Sequence, residues 1–145
     1  MPPPNKPYRI LVIEDNPTDV GLIGKALTKH GVEHEMVVIS DGEKALRYLD
    51  KLDSVPIPDL IVLDINMPKK DGLAVLVRYR MDVSLFQVPI VVLTSSDAPS
   101  DKQRAGIIGV SAFLQKPLLL EDFLALGEHL KVALETPFTY AAPRD

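Results

Sequence analysis

Short runs of apolar, largely β-branched residues recur along this chain, and each breaks off at polar residues. The first, Tyr8-Arg9-Ile10-Leu11-Val12-Ile13, stops at Glu14-Asp15-Asn16-Pro17. Others follow at Glu35-Met36-Val37-Val38-Ile39, Leu60-Ile61-Val62-Leu63, Pro89-Ile90-Val91-Val92-Leu93 and Ala112-Phe113-Leu114. Between the runs the apolar residues fall at helical spacing. Val20, Ile23, Ala26 and Leu27 mark a helix that Gly31 ends, and Ala45, Leu46 and Leu49 mark one after Asp41-Gly42. Further helices are expected near 72–81, more weakly to Ile108, and near 120–135. Strands apolar at every position are buried on both faces, which requires helices on both sides of a parallel sheet. Right-handed crossovers supply that arrangement. The expected fold is therefore α/β, a doubly wound five-stranded parallel sheet with five helices. A helix bundle fails because the runs are too short and too β-branched.

The chain has 145 residues, enough for one domain with a real core. Apolar residues at 46% and charged residues at 25% argue against wholesale disorder. A net charge of -4 argues against nucleic-acid binding through a basic surface, since phosphate neutralisation needs clustered Lys and Arg. With no cysteine, disulfides, thiolate metal sites and Cys nucleophiles are excluded. No segment has the apolar length of a membrane span. Met1-Pro2-Pro3-Pro4-Asn5-Lys6-Pro7 lacks the apolar core of a signal peptide, so a cytoplasmic protein is expected. Residues 1–7 read as a flexible proline-rich tail, 8–135 as the domain and 136–145 as a second tail.

Ligands of an open parallel sheet bind beyond the carboxyl ends of its strands. Glu14 and Asp15 follow the first run, Asp64 and then Asn66 the third, Thr94 and Ser95 the fourth, and Lys116 the fifth; the second offers only Ser40 and Asp41. Two carboxylates about 4 Å apart repel by roughly 4 kcal/mol at an effective dielectric near 20. A dry cluster of Glu14, Asp15 and Asp64 therefore needs protons or a cation. Oxygen ligands in small number suit Mg²⁺, which keeps waters and also binds phosphate. A carboxylate beside such a cation can attack phosphorus and form an aspartyl phosphate. Lys116 can then pair with phosphate oxygens, and the Thr94 hydroxyl can donate a hydrogen bond. Each residue alone has a plainer reading: acids and hydroxyls cap helices, and lysines are solvated. Acid pair, acid, hydroxyl and lysine at four strand ends are hard to explain as independent caps.

These residues resemble a response-regulator receiver domain of two-component signalling. The resemblance rests on Ile13-Glu14-Asp15-Asn16, Leu63-Asp64-Ile65-Asn66-Met67-Pro68 with Asp71-Gly72, Val92-Leu93-Thr94-Ser95 and Phe113-Leu114-Gln115-Lys116-Pro117, and spans about 8–135. It implies a flavodoxin-like sheet of order 2-1-3-4-5. It makes Asp64 the phosphoacceptor, and Glu14, Asp15, Asp64 and the Asn66 carbonyl the Mg²⁺ site. Lys116 becomes the phosphate partner, Thr94 the hydroxyl that moves toward the phosphoryl group, and Phe113 the switch aromatic, without the hydroxyl of the family's frequent Tyr. The Lys116–Pro117 bond is implied to be cis. The implied donor is a phosphohistidine of a sensor histidine kinase, with the receiver catalysing its own phosphorylation and dephosphorylation rather than serving as a dedicated turnover enzyme. The 66–72 stretch and the freestanding form point to regulators paired with phytochrome-like kinases.

No DNA-binding or catalytic domain follows residue 135 in this sequence, so the expected output is a protein contact through a changed surface of the fourth helix, fifth strand and fifth helix. In the last helix Phe123, Leu126 and Leu130 can face the sheet. Leu120 and Leu124 then lie on another face, packed on the fourth helix or in a homodimer. Phe138 and Tyr140 are expected to fold back or to join such a contact. Three other functions compete. A haloacid-dehalogenase-type phosphatase needs a second Asp where Asn66 stands. An FMN binder needs a Ser/Thr/Gly-rich loop where Glu14-Asp15-Asn16-Pro17 stands. A non-phosphorylated pseudo-receiver would usually lack one of Asp15, Asp64 and Lys116.

Overall fold

A computed structural model describes residues 6–67 and 71–140. The start and end of the two expected tails, and Pro68 with the two lysines after it, lie outside the described residues. The strands are β1 (Tyr8–Ile13), β2 (His34–Ile39), β3 (Leu60–Leu63), β4 (Ile90–Thr94) and β5 (Ala112–Gln115). They form one parallel sheet in the order β2-β1-β3-β4-β5. The helices are α1 (Pro17–Lys29), α2 (Gly42–Tyr48), α3 (Gly72–Met81), α4 (Pro99–Ile108), α5 (Leu120–Ala125) and α6 (Gly127–Leu134). The last two are consecutive segments of the expected fifth helix, meeting at Leu126.

Alternation along the central strands decides which helices lie on which face. Leu11, Ile13, Ile61, Leu63, Ile90 and Val92 pack with Ala45 of α2, Leu73, Leu76 and Tyr79 of α3 and Ala105 of α4. Ile10, Val12, Leu60, Val62, Val91 and Leu93 point the other way, onto Ile23 and Leu27 of α1, Phe123 of α5 and Leu130 of α6. Only the inner strands are sealed. β2 is an edge strand, and its Val37 and Val38 remain about half exposed.

The first three helices begin on side-chain caps that the sequence supplies. Asn16 accepts the amides of Thr18 and Asp19 at 2.9 and 3.2 Å, with Pro17 opening α1. Asp41 accepts the Lys44 amide at 2.8 Å, and Asp71 accepts that of Leu73 at 3.0 Å. Gly72 starts α3 so close to the Ile65 backbone that a Cβ would overlap it.

Residues 136–140 fold back onto the domain, and Phe138 is buried. The Lys116–Pro117 bond is trans, not cis as the resemblance implied. Trans is the lower-energy form even before proline, by about 0.5–1 kcal/mol. In α5, Phe123 is buried, Leu124 is half-buried and Leu120 is exposed, and Leu126 at the junction is half-buried.

Candidate functional site

The strand register brings four chain segments to one level. Ile13 pairs with Leu63, Leu63 with Val92, and Thr94 with Gln115. The ladder runs one residue past the strands. The amide of Asp64 donates to the Ile13 carbonyl at 3.0 Å, that of Lys116 to Thr94 at 2.8 Å and that of Glu14 to Ile39 at 2.9 Å. Glu14, Asp64 and Lys116 are therefore held by backbone bonds at the sheet's carboxyl edge. Glu14, Asp64 and Thr94 are buried, Lys116 is half-buried, and Asp15, Asn66 and Ser95 are exposed.

One ammonium group organises the acids. Lys116 Nζ lies 2.9 Å from Glu14 Oε2, 2.9 Å from Asp64 Oδ2 and 2.8 Å from Asp19 Oδ2. Asp64 Oδ1 accepts the Asn66 amide at 2.8 Å, and Glu14 Oε1 accepts the Asn16 amide at 3.1 Å. These contacts separate the two buried acids electrostatically. Burial pushes the Glu14 carboxyl up to about 7, the Asp64 charge adds to the rise, and the Lys116 bond opposes it. Burial also acts to raise Asp64, but hydrogen bonds from Lys116, the Asn66 amide and the Thr94 hydroxyl outweigh it and hold Asp64 below the usual carboxylate range. Lys116 is held well above its ordinary value: burial works against its charge, and the three acids prevail.

Glu14, Asp15 and Asp64 present carboxylate oxygens within 4.8 Å of one another. Hard, convergent oxygens in excess of the neighbouring positive charge are a donor set that fits a small divalent cation. The same edge thus offers an ionised, hydrogen-bonded carboxylate, a cation-binding trio, an ammonium group and a buried hydroxyl. That set can receive an incoming anionic group at Asp64 and spread its charge.

The structure brings Glu14, Asp15, Asp64, Thr94 and Lys116 together, with Asn66 joined through its amide. Phe113 lies apart on β5, half-buried against the hydrophobic cluster that includes Ala105. Ser95 faces solvent, while the neighbouring Ser96 anchors the loop: its amide donates to Thr94 Oγ1 at 3.3 Å and its hydroxyl to Asp101 Oδ2 at 2.7 Å. Pro117 follows Lys116 without touching the acids through any recorded bond. Asp19, absent from the sequence reading, is the third acid on Lys116. Its signal was an acid in the first turn of α1, one helical turn after Asp15.

The family model of the response regulator receiver domain matches residues 10–127. Response regulator Rcp1 of a Synechocystis species is 34% identical over 130 residues, covering 88% of this chain and 88% of that protein. Among solved structures, the phosphorylated cyanobacterial phytochrome response regulator RcpA is 33% identical with a TM-score of 0.79, over 87% of this chain and 92% of that one. The Mn²⁺-bound form of Rcp1 is 32% identical with a TM-score of 0.79, over 95% of this chain and all of that one (100%). No helix among the described residues is long and apolar enough to cross a membrane.

Proposed function

This chain belongs to the response regulator receiver domain family of two-component systems, and from that premise we propose that Asp64 accepts a phosphoryl group from a phosphohistidine of a sensor histidine kinase. The observation that carries the proposal is Asp64 itself: a buried carboxylate kept ionised at the sheet edge, 2.9 Å from Lys116 Nζ and beside the Thr94 hydroxyl. An Asp64 oxygen attacks phosphorus, the P–N bond to the donor breaks, and the imidazole nitrogen leaves with the electron pair. Lys116 exchanges a carboxylate partner for a phosphoryl oxygen, and the Thr94 hydroxyl turns to donate to another. Mg²⁺, held by Glu14, Asp15, Asp64 and the Asn66 carbonyl, supplies charge neutralisation for the phosphoryl oxygens when bound.

The added phosphoryl charge at Asp64 draws Thr94 inward, lets Phe113 repack and alters the surface of α4, β5 and α5. The similarity to phytochrome response regulators supports a phytochrome-like kinase as donor. The exposed Leu120 supports a homodimer through the same surface, with the output passed to a further protein. The reading carries the cytoplasmic location with it.

Incubation with acetyl phosphate and Mg²⁺ should add one phosphoryl mass to the wild type and none to Asp64→Asn or to protein treated with a chelator. Labelling that persists in Asp64→Asn would sink the assignment. A wild type that takes no label favours the pseudo-receiver, a binding module. Light scattering on the labelled protein should give a dimer; a monomer in both states removes the dimer alone.

A further inference from the structure

Helix α4 is weakly anchored. Of its residues only Ala105 is fully buried, and no side chain caps its start. At that end the Ser96–Asp101 bond ties it to the loop beside Asp64. The other end is held from outside the helix. The last carbonyls of a helix lack partners within it. Here the Ile108 carbonyl accepts the Tyr140 hydroxyl at 2.6 Å, from 32 residues further on. The Gly109 carbonyl accepts Arg80 Nε–H at 3.0 Å.

Arg80 makes this a built slot rather than a chance contact. It is buried at the end of α3, and its Nη1 donates to the carbonyls of Leu85 and Val88 at 3.2 and 3.0 Å. Its Nη2 is buried without a hydrogen-bond partner among the described residues. The Phe138 ring covers the guanidinium, its centroid 3.9 Å from Cζ, where a π face attracts the charge. Phe138 meets Tyr140 edge to face at 4.9 Å, and its amide donates to the Gln87 carbonyl at 3.0 Å. Gly109 sits at φ +120, and a Cβ there would run into both rings. Position 109 therefore admits the aromatic pair only as glycine.

We propose that residues 138–140 form a strap that caps α4 and restrains it, so that docking of the carboxyl-terminal segment and phosphoryl acceptance at Asp64 influence each other. Ile108, whose carbonyl Tyr140 caps, packs in the same cluster as Phe113. A helix with one buried residue lies at the low end of local stability, and a cap at its end sets how often it opens. If acceptance shifts α4, a docked strap opposes the shift, and the coupling is reciprocal. This second half rests on the acceptor reading above; the cap itself does not.

Hydrogen exchange on the full chain tests the cap. Tyr140→Phe keeps the ring and removes the bond, so amides 105–109 should exchange about 2- to 10-fold faster, with β1 and β3 unchanged. Phe138→Ala should speed the same amides at least as much. No change at 105–109 in either variant, or a rise spread through β1 and β3, overturns the strap. Acetyl phosphate with Mg²⁺ tests the coupling: Tyr140→Phe should take label faster than wild type by a similar factor. Equal labelling rates alongside faster α4 exchange overturn the coupling. If no protein takes label, the acceptor reading and the coupling both fall, while exchange still decides the cap.

Discussion

Away from the site, Tyr79 is a buried polar side chain met by a single partner. Its hydroxyl donates to the Ala45 carbonyl at 2.6 Å, locking α3 to α2 within the core. Tyr79→Phe keeps the ring but strands that carbonyl, so urea unfolding at pH 7 should show a loss of about 1–3 kcal/mol. Burial, aided by nearby negative charge, holds the Tyr79 phenol well above its ordinary value of 10.0. The native state then keeps a proton that the unfolded chain releases, so this stabilisation is complete below pH 10.0 and is lost as pH rises toward the folded value. The gap between wild type and Tyr79→Phe should shrink above pH 10.0; a gap that widens would refute the assignment. At this scale the sequence was legible where function sits directly after a strand. Glu14, Asp64, Thr94 and Lys116 each end an apolar run and could be seen as one set. Asp19 and Arg80 could not. Asp19 resembles an ordinary acid favoured by a helix N-terminus. Arg80 looks like a basic residue suited to a helix C-terminus, although it faces inward onto carbonyls.

Among the elements, the strands were read to within a residue or two, because each is built on a short apolar run. The helices were harder wherever packing, not propensity, defines them. α4 was the weakest in the sequence, and only Ala105 of its ten residues is fully buried. The break at Leu126 before Gly127 has no proline to announce it. The trans bond at Lys116–Pro117 could not be read from local sequence, which allows either isomer. The start of α3 shows how an element boundary reaches the site. Gly72 packs on the Ile65 backbone, one residue from Asp64. Gly72→Ala would force Ile65 away, and backbone cannot yield as a flexible side chain can. The expected cost is about 1–3 kcal/mol in urea unfolding, with slower labelling by acetyl phosphate because the Asp64 loop moves. A variant with wild-type stability and wild-type labelling would show that α3 can shift independently of the site.

At the scale of the whole molecule, the site is a source of instability that a cation can relieve. Glu14, Asp19 and Asp64 share one ammonium group, and Asp15 stands beside them with no share in it. Mutual repulsion among these acids weakens the fold as a whole, because they are fixed to β1, β3 and α1 together. A ligand that binds only the folded arrangement adds RT ln(1 + [L]/Kd), about 2.7 kcal/mol at one hundred times Kd. For a domain of this size each kcal/mol moves the melting temperature by about 2–4 °C. Saturating Mg²⁺ should therefore raise the melting temperature by roughly 5–10 °C over protein in chelator. Asp15→Asn removes an exposed trio member and part of the repulsion, so its cation-free melting temperature should equal or exceed that of wild type. Its Mg²⁺ shift should fall below half the wild-type value. An equal shift in the two proteins would mean that the ion binds elsewhere, and no shift in wild type would mean that Lys116 alone satisfies the acids.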